Sequence, residues 1–172
     1  MNPNALVASL ERFAVILPAV VRHVAPADAC WRPPSEDWSI LEVVGHLADE
    51  EVEDFRTRLQ RTLRSPEEKW PRIEPEAWAV ERRYNEADLE TTLARFLSER
   101  ATSLVWLRSL DRPDWSTTHH HPEIGPLRAG DLLASWAAHD LLHLRQITQR
   151  LYQLTLEAAG DYSTRYAGQW TA

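Results

Sequence analysis

Apolar residues recur at helical spacing in four stretches of this chain, and no stretch alternates as a half-buried strand would. The first runs from about Pro3 to Val24 and carries Leu6, Leu10, Phe13, Leu17, Val20, Val21 and Val24 on one side. Asn2 stands ahead of Pro3, the order expected of an N-cap followed by a proline at the first helical position. Pro18 falls inside the pattern and predicts a kink or a division, because its ring removes one N–H and crowds the preceding turn. The second stretch opens at Ser39, with Glu42 three residues on as a capping box, and continues to about Arg64 through Leu41, Val44, Ala48, Val52, Phe55, Leu59 and Leu63. The third starts near Asn85 or Asp88 and reaches about Leu110, striped by Leu89, Leu93, Phe96, Leu97, Leu104, Leu107 and Leu110. The fourth covers roughly Leu127 to Leu154, built on Leu133, Trp136, Ala137, Leu144, Ile147 and Leu151.

The connections Ala25–Trp38, Ser65–Tyr84 and Asp111–Pro126 are rich in proline and tryptophan. The middle one is long enough to run the length of a bundle. The pattern therefore predicts an all-α fold, a four-helix bundle with long crossover connections, as a single domain over residues 1–172. The tail from Glu157, with Tyr162, Tyr166 and Trp170, is expected to cover an end of the bundle.

Composition narrows the function classes. With 44% apolar residues and five glycines in 172, the chain can bury a core and does not read as disordered. A net charge of −7 argues against nucleic acid as a partner, since phosphate binding needs a basic surface. Glu11 and Arg12 interrupt the apolar N-terminal stretch, so neither a membrane span nor a secretory signal is expected. Cys30 is the only cysteine, which leaves no internal disulfide and no cysteine-based zinc motif; a cytoplasmic location follows as the expectation. Lys69 is the only lysine among 19 Lys and Arg residues, a bias that points to a GC-rich bacterium.

The chemistry lies in three histidines. His139 and His143 are one helical turn apart, so their imidazoles leave the same side of a helix. His46 sits on the second helix, off its apolar stripe and beside Glu42, Asp49, Glu50 and Glu53, which predicts a cleft open to solvent. Three imidazoles from two helices would hold a divalent metal and leave coordination positions open, the arrangement of a catalytic centre. Surface histidines with no common ligand are the alternative. Asp49 and Glu50, three and four residues after His46, are the candidate catalytic carboxylates, as a base or a weak ligand. Asp140 points into the apolar stripe between Trp136 and Leu144, so it requires a buried partner such as an indole N–H, a backbone N–H or an arginine. Arg145, Gln146 and Arg150 flank the histidine pair, and Asp140, Gln146, Arg145 and His121 are the candidates for support of the metal or substrate contact. His119, His120 and His121 precede Pro122 in what reads as a loop.

The segments from Trp38 to Glu51, from His121 to Leu127, and from Trp136 to Ile147 resemble the DinB/YfiT-like proteins of the DinB superfamily, and the helix around Leu93–Arg100 resembles the family's third. The resemblance implies a four-helix bundle, a homodimer, and a divalent metal, zinc or nickel, held by His46, His139 and His143. It also implies a small-molecule substrate. The family includes enzymes that use low-molecular-weight thiols such as bacillithiol and mycothiol, so a thiol-dependent S-transferase or isomerase is the leading expectation. A non-catalytic metal- or ligand-binding stress-response protein and a metal-dependent hydrolase are the two alternatives. Metal stabilises a thiolate in the first case and acidifies water in the last, and the residues do not select between them.

Overall fold

A computed structural model describes residues 1–35 and 37–170. Helix α1 spans Pro3–Val21; the Asn2 side chain accepts the Ala5 N–H at 3.2 Å, as its position before Pro3 predicts. The helix passes through Pro18 undivided and stops at Val21, the last of its core residues. One turn, α2 (Pro26–Ala29), follows. Helix α3 (Ile40–Asp49) starts from the expected capping box of Ser39 and Glu42. It runs on through a π-helical stretch, Glu50–Arg56, into α4 (Thr57–Arg64). At the end of the widened turns, Thr57 Oγ1 donates to the Val52 carbonyl five residues back at 2.6 Å. A short α5 (Pro75–Glu81) and a 3₁₀ turn (Tyr84–Glu86) lie in the long middle connection. Helix α6 (Leu89–Ser109) is N-capped by Asp88, and α7 (Ala129–Ala159) is the longest element.

The rods α1, α3–α4, α6 and α7 form the bundle: α3 packs on α6 and α7, α1 on α7 and α6, and α4 on α7. Two apolar clusters fill it. One holds Phe13, Leu17, Val44, Leu47, Phe96 and Ile147, and the other Leu10, Phe55, Leu59, Leu104, Leu133 and Trp136. On every rod the change from one cluster to the other falls at a single level, and a charged layer occupies that level. Arg100 donates to Glu51 at 2.9 and 2.8 Å, to Asp140 at 2.6 and 2.9 Å, and to the Leu10 carbonyl at 3.0 Å. Trp136 Nε1 donates to Glu51 at 3.0 Å. The arginine that Asp140 requires therefore comes from α6.

Two expectations change. The His119–His121 run is a strand, β1 (Thr118–His121), paired antiparallel with β2 (Gly125–Arg128). The turn between them uses Gly125 at a φ of +89°, and four-residue strands are too short to show alternation in sequence. Secondly, all ten residues of α3 are buried, polar ones included, so the side bearing His46 does not face open solvent. The middle connection packs against it: Tyr84 lies so close to Gly45 that a Cβ there would be 2.8 Å from the ring. Helix α1 is long and apolar enough to cross a bilayer by composition alone, with a mean hydropathy of 1.6. Its Leu10, Phe13, Leu17 and Val21 are instead buried in the bundle. In the tail, Trp170 stacks on Tyr152 of α7 at 5.4 Å, whereas Tyr162 and Tyr166 are exposed.

Candidate metal centre

His46 comes from α3, and His139 and His143 come from successive turns of α7. Their Nε2 atoms converge: His139 Nε2 lies 3.3 Å from that of His46 and 3.0 Å from that of His143. All three nitrogens lie within 4.8 Å of one another. Tetrahedral ligands at the usual zinc–nitrogen distance of about 2.05 Å stand about 3.3 Å apart, so the spacing suits one shared ion. Neutral imidazoles carry one proton each, and three nitrogens aimed at one point cannot all be satisfied by hydrogen bonds among themselves. A cation satisfies all three.

The surroundings keep these rings neutral. Burial, then the charge of His143, pushes the His46 pKa down to about 3. Burial, then His143, His46 and Arg100, lowers His139 to about 2. Burial also lowers His143, against a hydrogen bond to Gln146. His143 Nδ1 lies 2.9 Å from Gln146 Oε1, the kind of contact that fixes a ligand's tautomer and leaves Nε2 free for metal. Phe55 packs against His139 at 4.9 Å and Trp38 against His46 at 4.9 Å. His46 Nδ1 is buried without a partner among the described residues.

The other candidates fall in different places. Asp49, fully buried, accepts from Arg82 at 2.6 Å, from Arg95 and from the Tyr84 hydroxyl, so its oxygens are committed to holding the middle connection on the bundle. Glu50 is buried as well, and burial, then Asp54 one turn on, raises its pKa well above the usual carboxylate range and favours its protonated form. Asp140 belongs to the charged layer under Arg100, with burial raising its pKa to about 6 against the pull of that arginine. Arg145 is exposed on α7. Arg150, by contrast, is buried: it donates to the Trp38 carbonyl at 2.9 Å, pairs with Asp37 at 3.1 Å, and so fixes Trp38 beside His46. His121 caps its own hairpin turn by accepting the Glu123 and Ile124 N–H groups, and lines a separate cavity with Trp70, away from the triad.

A cavity of about 560 Å³ opens over the histidines, lined by Trp38, His46, Glu74, Pro75, Glu76, Ala77 and His143. A neighbouring hollow adds Asp37 and Gln146 to Trp38, Glu76 and His143. Sequence reasoning missed Trp38, Glu74 and Glu76 as parts of the site. The first carries no ligand chemistry of its own, and the other two arrive from a connection with no periodic pattern.

Comparisons with known proteins agree with this architecture. YfiT from Bacillus subtilis, proposed to be a metal-dependent hydrolase with an unusual four-helix bundle topology, superposes with a TM-score of 0.80 at 19% identity, covering 89% of this chain and 87% of that one. At that identity the likeness shows the fold. A protein of Oceanobacillus iheyensis, also proposed to be a metal-dependent hydrolase, is 34% identical over 116 residues, or 66% of this chain. The aligned part spans 65% of that relative's length. The DinB superfamily model matches residues 9–147, a stretch that contains all three histidines and at least part of each rod of the bundle, and the chain belongs to the DinB superfamily.

Proposed function

We propose that this protein is a metal-dependent hydrolase acting on a small molecule in the cleft above His46, His139 and His143. One observation carries the reading: three Nε2 atoms, from buried His46 and half-buried His139 and His143, converge on one point, and His46 and His143 line the cavity above it. Bound there, a divalent cation supplies a Lewis acid able to polarise an electrophile and acidify water at neutral pH. Imidazole donors suit zinc and nickel alike. The chain's own residues do the rest. Gln146 orients His143, while Trp38 and Phe55 pack against His46 and His139 and keep water from the sides of the ligands. Asp49 is held by its arginines, and burial with Asp54 beside it disfavours the charged form of Glu50 that a base requires.

The thiol-dependent transferase expected from the family resemblance has less support: two relatives are described as hydrolases, and no feature of the cleft singles out a thiol. Purified protein, stripped of metal and reloaded with zinc or nickel, should be offered ester, lactone and amide substrates with and without a low-molecular-weight thiol. The expected result is turnover without thiol that disappears on chelation and returns with metal. Turnover that requires thiol would replace this reading with the transferase. No turnover, with metal only raising the melting temperature, would leave a binding module.

A further inference from the structure

The walls of the cleft differ from its floor in one respect, and that difference selects a substrate. Neither the cavity over the histidines nor its neighbour is lined by a lysine or an arginine, whereas three carboxylates, Asp37, Glu74 and Glu76, line them. Two of the three are neutralised: Asp37 pairs with Arg150 at 3.1 Å and Glu74 with Arg72 at 2.6 Å. Glu76 is common to both hollows, as are Trp38 and His143, and it forms no hydrogen bond or ion pair with the described residues. The cleft is a built site apart from these acids. His46, 5% exposed, lines it with an unpartnered Nδ1, and Trp38 is fixed there by buried Arg150.

An uncompensated carboxylate beside an indole face is the combination that recognises an alkylammonium group, by ion pairing and by attraction to the ring quadrupole. It repels a carboxylate or phosphate at the same position. The floor, with its metal, would draw the reacting oxygen of a substrate, and Glu76, exposed on the wall of the same cleft with Trp38 and His143, would act on a neighbouring substituent of the molecule.

Resting on the reading of this cleft as a metal-dependent reaction site, we infer that its substrate carries a positively charged amine, recognised by Glu76 in the cleft that Trp38 and His143 also line. Recognition of the amine changes no covalent bond. Anionic substrates of the same size are excluded by charge.

Calorimetric titration of zinc-loaded protein with three alkyl hydroxamates tests this without turnover. The three share a metal-seeking head and one chain length, and end in ammonium, methyl or carboxylate. Native protein should bind the ammonium compound about five- to tenfold more tightly than the carboxylate. Glu76→Gln should narrow that ratio to about twofold or less, and Glu76→Lys should reverse the order. Glu76 is exposed, so neither change threatens the fold, and matching melting curves verify that. Equal affinities in the native protein, preference for the carboxylate, a ratio unchanged in Glu76→Gln, or binding of none of the three would each overturn the inference. Ammonium preference without hydrolysis of any substrate would sink only the hydrolase reading; metal-dependent hydrolysis without charge preference would sink only this one.

Discussion

A histidine offers metal a lone pair only when it is unprotonated, and at these three positions burial does what solution pH would otherwise have to do. His139 is the pivot, since its Nε2 faces both of the others at 3.3 and 3.0 Å. Removing an outer ligand should break the site: metal per chain, measured by elemental analysis of protein made without a histidine tag, is expected to fall from about one to near zero in His143→Ala. Equal content in both proteins would contradict the triad. The Gln146 contact predicts a finer effect. Gln146→Leu leaves His143 in place and loses only the partner of its Nδ1, so metal affinity, read by competition with a chromophoric chelator, should weaken by about tenfold. An unchanged affinity would mean that ring orientation is set by packing alone.

At the scale of elements, the four rods were legible because each is amphipathic over several turns, and the His139/His143 spacing was legible because helical geometry is local. The need of Asp140 for a cation was legible as well; the identity of Arg100 was not, because it stands 40 residues away on another rod with no local mark of its destination. Nor was the cover over α3. The connection that buries it has no period, and its hold depends on a Tyr84 ring seated against Gly45 and on Asp49 bound by Arg82, Arg95 and Tyr84. The π-helical stretch after Asp49 escaped for a related reason, since widened turns leave no signature in residue type. Two substitutions test these assignments. Gly45→Ala forces the ring away and should cost about 1–3 kcal/mol in denaturant unfolding, with much of that cost absent when Tyr84→Ala is already present. Arg100→Met strands Glu51 and Asp140 as unpaired buried carboxylates and should cost about 3–5 kcal/mol.

For the molecule as a whole, the same burial that prepares the metal site makes stability depend on pH in two opposing ways. In metal-free protein, His46 and His139 titrate near 3 and 2 when folded and near 6.5 when unfolded, so below pH 6.5 the unfolded chain takes up protons first. Their contribution is complete above pH 6.5 and is lost as pH falls toward 3, by about 1 kcal/mol per pH unit for each histidine. Glu50 works the other way: its folded pKa is raised from 4.5 to about 9, so its contribution is complete below 4.5 and is lost as pH rises to 9. Asp140, raised to about 6, adds a smaller loss in the same direction below that pH. The metal-free protein should therefore be most stable near pH 6.5, losing stability steadily toward pH 9. On the acid side Glu50 and Asp140 offset the two histidines down to about pH 4.5, and the steep loss comes below it, as a denaturant series would show. Glu50→Gln should flatten the alkaline side and steepen the profile between pH 4.5 and 6.5, where Glu50 opposes the histidines. Zinc at about 100 times its dissociation constant should add about 2.7 kcal/mol at pH 7.5, and because burial keeps the folded histidines unprotonated well below pH 6.5, this increment should hold through pH 6 and shrink only as pH falls toward 3. A zinc increment already lost at pH 6 would mean that the ion is held by exposed histidines of ordinary pKa and not by this buried triad.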